Sequence, residues 1–312
     1  MNIESLGPYL KLQARQINDS YASFRSNKDA SITEIHSFVK QIPGLTQNFK
    51  SLSTHINLAE HIKKTTSSIN FRNTWLAERS MLEGEANVAF IETAIADEKD
   101  KYDVLKLLCL QSMVSGGIKS AKYDSVRRDF VQTYGVSSVP LLNNLEVLGA
   151  LKRSEGMSWA TADTSTKWNT LRRSLRLIVD DVDVADPSDI AYVSSGYAPL
   201  SVRFLQALLK DSATVAGMAR VTELFLEEDE YIGFDDALRR GKKRGGGAGG
   251  GTGGGGGKLA EKPVMMVYYV GGVTFMEIAA LRFLSESAAF PYKIVVATTK
   301  VVNGRSVLEE LN

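Results

Sequence analysis

A chain of 312 residues, 44% of them hydrophobic, is long enough for two domains, each with its own core. Thirty-seven basic residues against thirty-six acidic ones leave a formal charge of +1, which prepares no strong field for nucleic acid or an anionic membrane. No stretch approaches the roughly eighteen apolar residues a bilayer span needs, no apolar signal core opens the chain, and the one cysteine, Cys109, reads as core filling in a cytosolic protein.

In chain order, Gly7 and Pro8 predict a helix start, and Leu10, Ala14, Ile17, Tyr21 and Phe24 follow at spacings of four and three. Ser31 and Glu34 spell a capping box, after which Ile32, Ile35, Val39 and Ile42 keep the rhythm until Pro43, which is expected to end that helix. Leu45, Phe49, Leu52, Ile56 and Ala59 repeat the pattern. Three such segments predict either an antiparallel hairpin projecting from a body or a bundle closed on itself.

Further helices are predicted over 70–83, 86–98 and 101–115, the last stopped by Gly116 and Gly117, and two more in "YDSVRRDFVQTYG" and "VPLLNNLEVLGALKR". The segment "SEGMSWATADTST" reads as irregular, and "KWNTLRRSLRLIV" as a basic helix. That outline admits a winged-helix, nucleic-acid-binding alternative, which the balanced charge disfavours.

From Asp189 the texture changes. "DIAYV", "PVMMVYYV" and "YKIVVATT" read as buried strands, with helices after Pro199, Thr274 and Gly304, the signature of a parallel sheet covered on both faces. Three strands fall short of the usual four to six or so, so the sheet reads as incomplete.

Sites of chemistry are thin. The glycine run 245–257 before Lys258 fails as a phosphate loop, because Thr252 stands where the first glycine belongs, Leu259 where a hydroxyl belongs, and the run precedes its strand. It reads as a solvated insertion. Gly271 and Gly272 follow a strand, but Thr274 and Glu277 form a capping box that takes the amides a phosphate would need. His36, His55 and His61 offer no i, i+4 metal pair, and the acidic run 180–189 lacks the glycine and closing glutamate of a calcium loop. No catalytic, cofactor-binding or metal-ligating residue is expected, and a nucleotide-binding α/β enzyme stays as an alternative.

"HINLAEHIKKTT", "VLKLLCLQS", "QTYG", "SGYAPLSVR", "GGVTFMEIAALRFLS" and "ATTK" followed by "NG" occur in that order. Together they resemble the SM proteins, the Sec/Munc-type chaperones of SNARE assembly, in their vacuolar protein-sorting branch. The likeness runs from near Leu6 to the C-terminus.

The resemblance implies a mixed architecture, mainly α-helical with a hairpin and followed by a partial parallel α/β domain. Its divisions are a hairpin over 1–66, a helical domain over 67–185 and half of an α/β domain over 186–312, with a glycine-rich loop at 241–260. The other half of that domain, and a further α/β domain before it, would lie outside this chain. The resemblance also implies a non-enzymatic subunit of the HOPS and CORVET tethering complexes, cytoplasmic and peripheral on late endosome and vacuole or lysosome membranes, with no membrane insertion and no nucleic acid. Its partners would be an R-SNARE and a Qa-SNARE on the hairpin, with Leu10, Ile17, Tyr21 and Phe24 as contacts and Pro43 setting the bend of the second arm. A helical-solenoid tether subunit, the vacuolar sorting protein numbered sixteen, would meet Arg127, Val136 and Val139.

Overall fold

A computed structural model describes residues 3–26, 31–154, 167–184, 186–209 and 262–312. The chain opens with two long helices, α1 (Ile3–Ser26) and α2 (Ile32–Thr66). They pack on each other as an antiparallel hairpin: Tyr21 near the end of α1 meets Phe38 near the start of α2, while Gly7 and Ala59 share one cavity at the other end.

Two expectations need correction here. Pro8 lies inside α1 instead of starting it, and α2 runs unbroken through Pro43. A proline removes one intrahelical hydrogen bond and crowds the carbonyl four residues back, a local lesion that a helix can absorb as a bend when strong helical segments flank it. Residues 32–42 and 44–66 supply those flanks, and Pro43 is exposed, so no packing is lost with the missing amide. Three apolar segments thus become two helices. Ser31 stands just before α2 as its cap position requires, while the side chains of Phe24 and Glu34 lie outside the described residues.

The body begins with α3 (Ile69–Glu83), whose Phe71 amide donates to Ser68 Oγ and whose end is closed by Gly84 at φ 99°. After α4 (Val88–Ala96), α5 (Lys101–Ser115) is bounded by Asp100, which accepts from the Tyr102 and Asp103 amides, and by Gly116 at φ 69°. Then come strand β1 (Ile118–Lys119), α6 (Ser120–Tyr134), a 3-10 turn (Val136–Ser138), α7 (Val139–Val147) and strand β2 (Arg153–Ser154). The β1–β2 parallel pair is two residues long, too short for any alternation to reveal. Ile91, Leu105, Phe130 and Leu142 are fully buried at the centre of this body, and Cys109 joins them, its thiol pushed up to about 11 by burial.

Past α8 (Lys167–Ser174), "DIAYV" forms a 3-10 turn, Ile190–Ser194, and not a strand. Its residues are buried as a strand's would be, and a short apolar run does not distinguish the two. Asp189 decides the matter by accepting from the Ala191 amide at 2.8 Å, a cap that starts a turn. Burial alone would raise the Asp189 carboxyl, but the Arg203 guanidinium at 2.6 Å and that amide outweigh it and hold its pKa below the ordinary value. The acidic run is therefore structural at both ends, since Asp180 pairs with Arg79 at 2.8 Å.

Helix α9 (Leu200–Leu209) precedes the sheet, in which β3 (Val264–Tyr269) pairs in parallel with β4 (Lys293–Thr298), from Val264 opposite Lys293 to Tyr269 opposite Thr298. Between them α10 (Phe275–Glu286) crosses over and packs Ala280, Leu281 and Leu284 against the sheet and Val202. Val264, Met266 and Tyr268 on the other sheet face are exposed, so among the described residues one face is covered, not both. The last helix, α11 (Gly304–Glu310), leaves the sheet and inserts Leu308 into the helical body beside α5. The glycine run and its loop lie outside the described residues.

Candidate partner-binding surfaces

The hairpin is held together by a narrow seam. On α2, Phe38, Leu45, Leu52 and Ala59 recur every seven residues and are partly or fully buried. On α1, Leu6, Leu10, Gln13, Ile17 and Ser20 oppose them at 3-4 spacing. Leu10 and Ile17, expected to meet a partner, thus turn to the hairpin's own seam, Leu10 being 9% exposed. A helix alone in the first position of a hairpin must give its most regular stripe to its neighbour, because that contact is what keeps it folded.

A second stripe lies on α2. Ile35, Val39, Ile42, Phe49 and Ile56 follow the same heptad rhythm, with Thr46 and Ser53 in the remaining positions, and are between 37% and 59% exposed. It spans about 32 Å at 1.5 Å per residue. Ile42 and Leu45, three positions apart, differ by about 60° around the helix, so the exposed stripe sits about 60° from the buried one. That is the angle at which a helix in a three-helix bundle sees its two neighbours. By the same geometry the matching face of α1 carries Gly7, Ala14 and Tyr21, seven apart and all exposed. The groove so formed has Gly7, Ala14 and, at its far end, Tyr21 on one wall and large apolar side chains on the other. Tyr21 lies edge-on to Phe38, ring centres 6.2 Å apart. Pro43 is exposed within α2, next to Ile42.

The groove reaches the body at a cavity of about 820 Å³ lined by Gly7, Leu10, Ala59, Lys63, Phe71 and Trp75. A polar contact joins α1 to the body there: Ser5 Oγ and the Tyr192 hydroxyl are 2.6 Å apart. Beside it, Arg79 of α3 donates to Glu83 at 2.9 Å, to Asp180 at 2.8 Å and to the Ser195 carbonyl at 3.3 Å, all outside the hairpin.

On the other side of the body, Arg127 of α6 donates to Glu146 and, at 2.8 Å, to Asn143 Oδ1, both on α7. Tyr123 donates to the same Glu146, and its own hydroxyl is pushed up to about 12, by burial first and then by that carboxylate. Val139, Asn143 and Glu146 share one α7 face, so Arg127 and Val139 belong to one surface. Val136, in the turn before α7, is 76% exposed and adjoins it; Val139 is half-buried.

The α10 N-terminus is occupied by its own side chains. Glu277 N–H donates to Thr274 Oγ1 at 3.2 Å and Thr274 N–H to Glu277 Oε2 at 2.8 Å, the capping box expected from the sequence. His36, His55 and His61 are exposed along α2.

Against known proteins, the profile of the Sec1 family matches residues 1–310. This chain belongs to the Sec1 family. Sec1-family relatives include vacuolar protein sorting-associated protein 33A of Rattus norvegicus, 36% identical over 315 residues that cover 99% of this chain and 48% of the rat protein. Another is the vacuolar protein-sorting-associated protein 33 homolog of Arabidopsis thaliana, 32% identical over 99% of this chain and 49% of the plant protein. The chain thus spans about half the length of the relatives it matches. The same family fold is seen in the Unc18–syntaxin 1 complex from Monosiga brevicollis, with a TM-score of 0.56 at 14% identity over 98% of this chain and 48% of that one. The SM protein Vps45 in complex with the Qa SNARE Tlg2 gives 0.52 at 15% identity, over 100% and 46%.

Within this Sec1-family chain, the stripe on α2 is what sequence reading missed. Its residues were all visible as apolar positions, but treating Pro43 as a stop divided them between two helices. Joining 35–42 to 49–56 in one heptad frame would have found it.

Proposed function

We propose that the hairpin holds SNARE helices side by side before they zipper, in the manner of an SM chaperone. The single observation that carries this reading is the exposed heptad stripe Ile35–Ile56, set about 60° from the buried seam beside the α1 face of Gly7, Ala14 and Tyr21. A SNARE motif is itself an amphipathic helix, and a third helix laid in that groove completes a bundle. The names of the neighbours agree, since Unc18 is recorded with syntaxin 1 and Vps45 with the Qa SNARE Tlg2. The action is templating: alignment of two helices removes part of the orientational entropy of their association, and no bond is made or broken.

In the same reading the chain acts on an R-SNARE and a Qa-SNARE as part of the HOPS and CORVET complexes, at late endosome and vacuole or lysosome membranes. Vacuolar protein sorting relatives support that setting. Among the described residues no helix is long and apolar enough to cross a membrane, so attachment is assigned to partners. The surface of Arg127, Val136 and Val139 is assigned to the tether subunit numbered sixteen.

Fluorescence anisotropy with labelled Qa- and R-SNARE-motif peptides tests the first assignment. Ile42→Asp with Phe49→Asp should weaken binding at least about tenfold and leave the melting temperature unchanged; unaltered affinity would overturn the reading. Co-purification tests the second. Val139→Asp should release the tether subunit and leave SNARE-peptide binding intact, and an intact tether complex counts against that assignment.

A further inference from the structure

A second cavity, of about 530 Å³, opens where α2 passes into α3, between α3 and α5. Phe71 and Trp75 line both this cavity and the one at the hairpin base, so the groove continues over them from one into the other. Phe71, Trp75 and Glu78 lie four and three apart on α3, which puts the carboxylate one turn beyond two exposed rings.

Among the described residues the Glu78 side chain makes no hydrogen bond or ion pair, and burial raises its pKa above the ordinary carboxylate value, with Lys106 pulling it down and Asp103 pushing it up. The charges around it are committed elsewhere. Lys106 pairs with Asp103 at 2.8 Å, and Lys99 donates to Asn70 at 2.9 Å while lying 5.3 Å over the Phe90 ring. Asp100 caps α5 and faces Arg305 at 3.3 Å. Among the described residues, then, Glu78 is a half-buried carboxylate in this cavity with no ion pair, its nearest cation Lys106 being paired to Asp103, and the aromatic rings of Phe71 and Trp75 line the same cavity.

We infer that this cavity receives a single basic side chain, lysine or arginine, projecting from the helix that lies in the hairpin groove. A cation there gains the Phe71 ring and the Glu78 carboxylate, beside a Trp75 ring whose centre already has the Arg79 guanidinium 6.0 Å away, and its alkyl stem crosses the apolar rim. A bare divalent ion is a poor fit, because it needs about six oxygen ligands, while Asp103 and Asp100 are already engaged. The inference rests on the helix-holding reading and deepens it: the stripe selects for amphipathic helices in general, and the carboxylate fixes the register of one that carries a basic residue at the right height. That is the use for which a lone polar position in an apolar seam is best attested.

The test uses a synthetic amphipathic peptide with leucines at 3-4 spacing and one arginine walked along its length, against the same series with citrulline, which keeps the shape and loses the charge. At one position the arginine peptide should bind the parent chain about tenfold more tightly than its citrulline twin. Glu78→Gln should erase that difference, leave citrulline-peptide affinity unchanged and leave the fold intact, since it removes a charge that burial disfavours. Equal binding of arginine and citrulline peptides at every position overturns the inference, as does a preference that survives Glu78→Gln. Ile42→Asp separates this from the parent reading. If both series bind and Ile42→Asp releases both, a missing arginine preference sinks only the receptacle. If neither series binds, or Ile42→Asp has no effect, the groove reading falls and the receptacle with it.

Discussion

The hairpin and the helical body are written in the same amphipathic rhythm, but they use it differently. In the body, α3 to α7 surround Leu105, Phe130 and Leu142 from several sides, so that an apolar core closes within the chain. In the hairpin, only Leu10 and Leu52 are buried among the described residues, and a second stripe of similar length stays open. Two helices have one interface between them, so any second apolar face on either is left to solvent or to another molecule. Periodicity therefore reports which face is apolar, whereas the number of neighbouring helices decides whether it is core or contact surface.

The largest expected effect lies in the body. Leu105→Ala should lower global stability by about 2–5 kcal/mol, measured by urea denaturation, because the site is closed on all sides. A loss under about 1 kcal/mol would mean that this core is as loose as the hairpin. Next is Pro43→Ala, which restores one helical hydrogen bond and removes a clash, an intrinsic gain of up to about 3 kcal/mol for an interior helix position. It should appear as slower amide exchange around residue 43 with little change in global melting. Leu10→Ala should cost about 1–2 kcal/mol, felt locally in α1 and α2 exchange, because the thin seam can partly collapse around the gap.

A pH experiment concerns the capped turn that carries Tyr192, the residue the hairpin's Ser5 meets. The Asp189 pKa is lowered in the fold, so its contribution to stability is complete above the unfolded value near 3.9 and fades as pH falls through its lower folded value. Asp189→Asn should flatten that acid-side slope in thermal melts taken from about pH 5 downward; an identical slope would show that the Arg203 pair does not titrate as described. The smallest effect belongs to the open stripe: Ile42→Ser should change stability by no more than about 0.5 kcal/mol, in contrast to its expected effect on peptide binding.

Much of this organisation was legible in the sequence where local chemistry sets it. Helix α5 runs over 101–115 and stops at Gly116 as expected, and Thr274 with Glu277 announced the start of α10. Prediction failed where a global contact or a tolerated local fault decides. Pro43 is a helix breaker by propensity, and nothing in its neighbours says that α2 will carry it. "DIAYV" has strand composition, but a cap on Asp189 and a pair with Arg203 fold it as a turn. Glu78 gave no signal at all, because a carboxylate on a helix is ordinary until Phe71 and Trp75 are seen beside it and its cavity is found.

Helix α11 has a temporal meaning. Leu308 completes a core whose other buried members lie between Met81 and Leu151, and Asn144 Nδ2 donates to the Leu311 carbonyl at 2.9 Å. On the ribosome, where earlier segments fold as they emerge, the helical body must wait with an unfilled site until residues 304–311 are released. A nascent chain stalled before residue 304 should therefore bind chaperones longer and be digested faster than one stalled after residue 312 has cleared the exit tunnel.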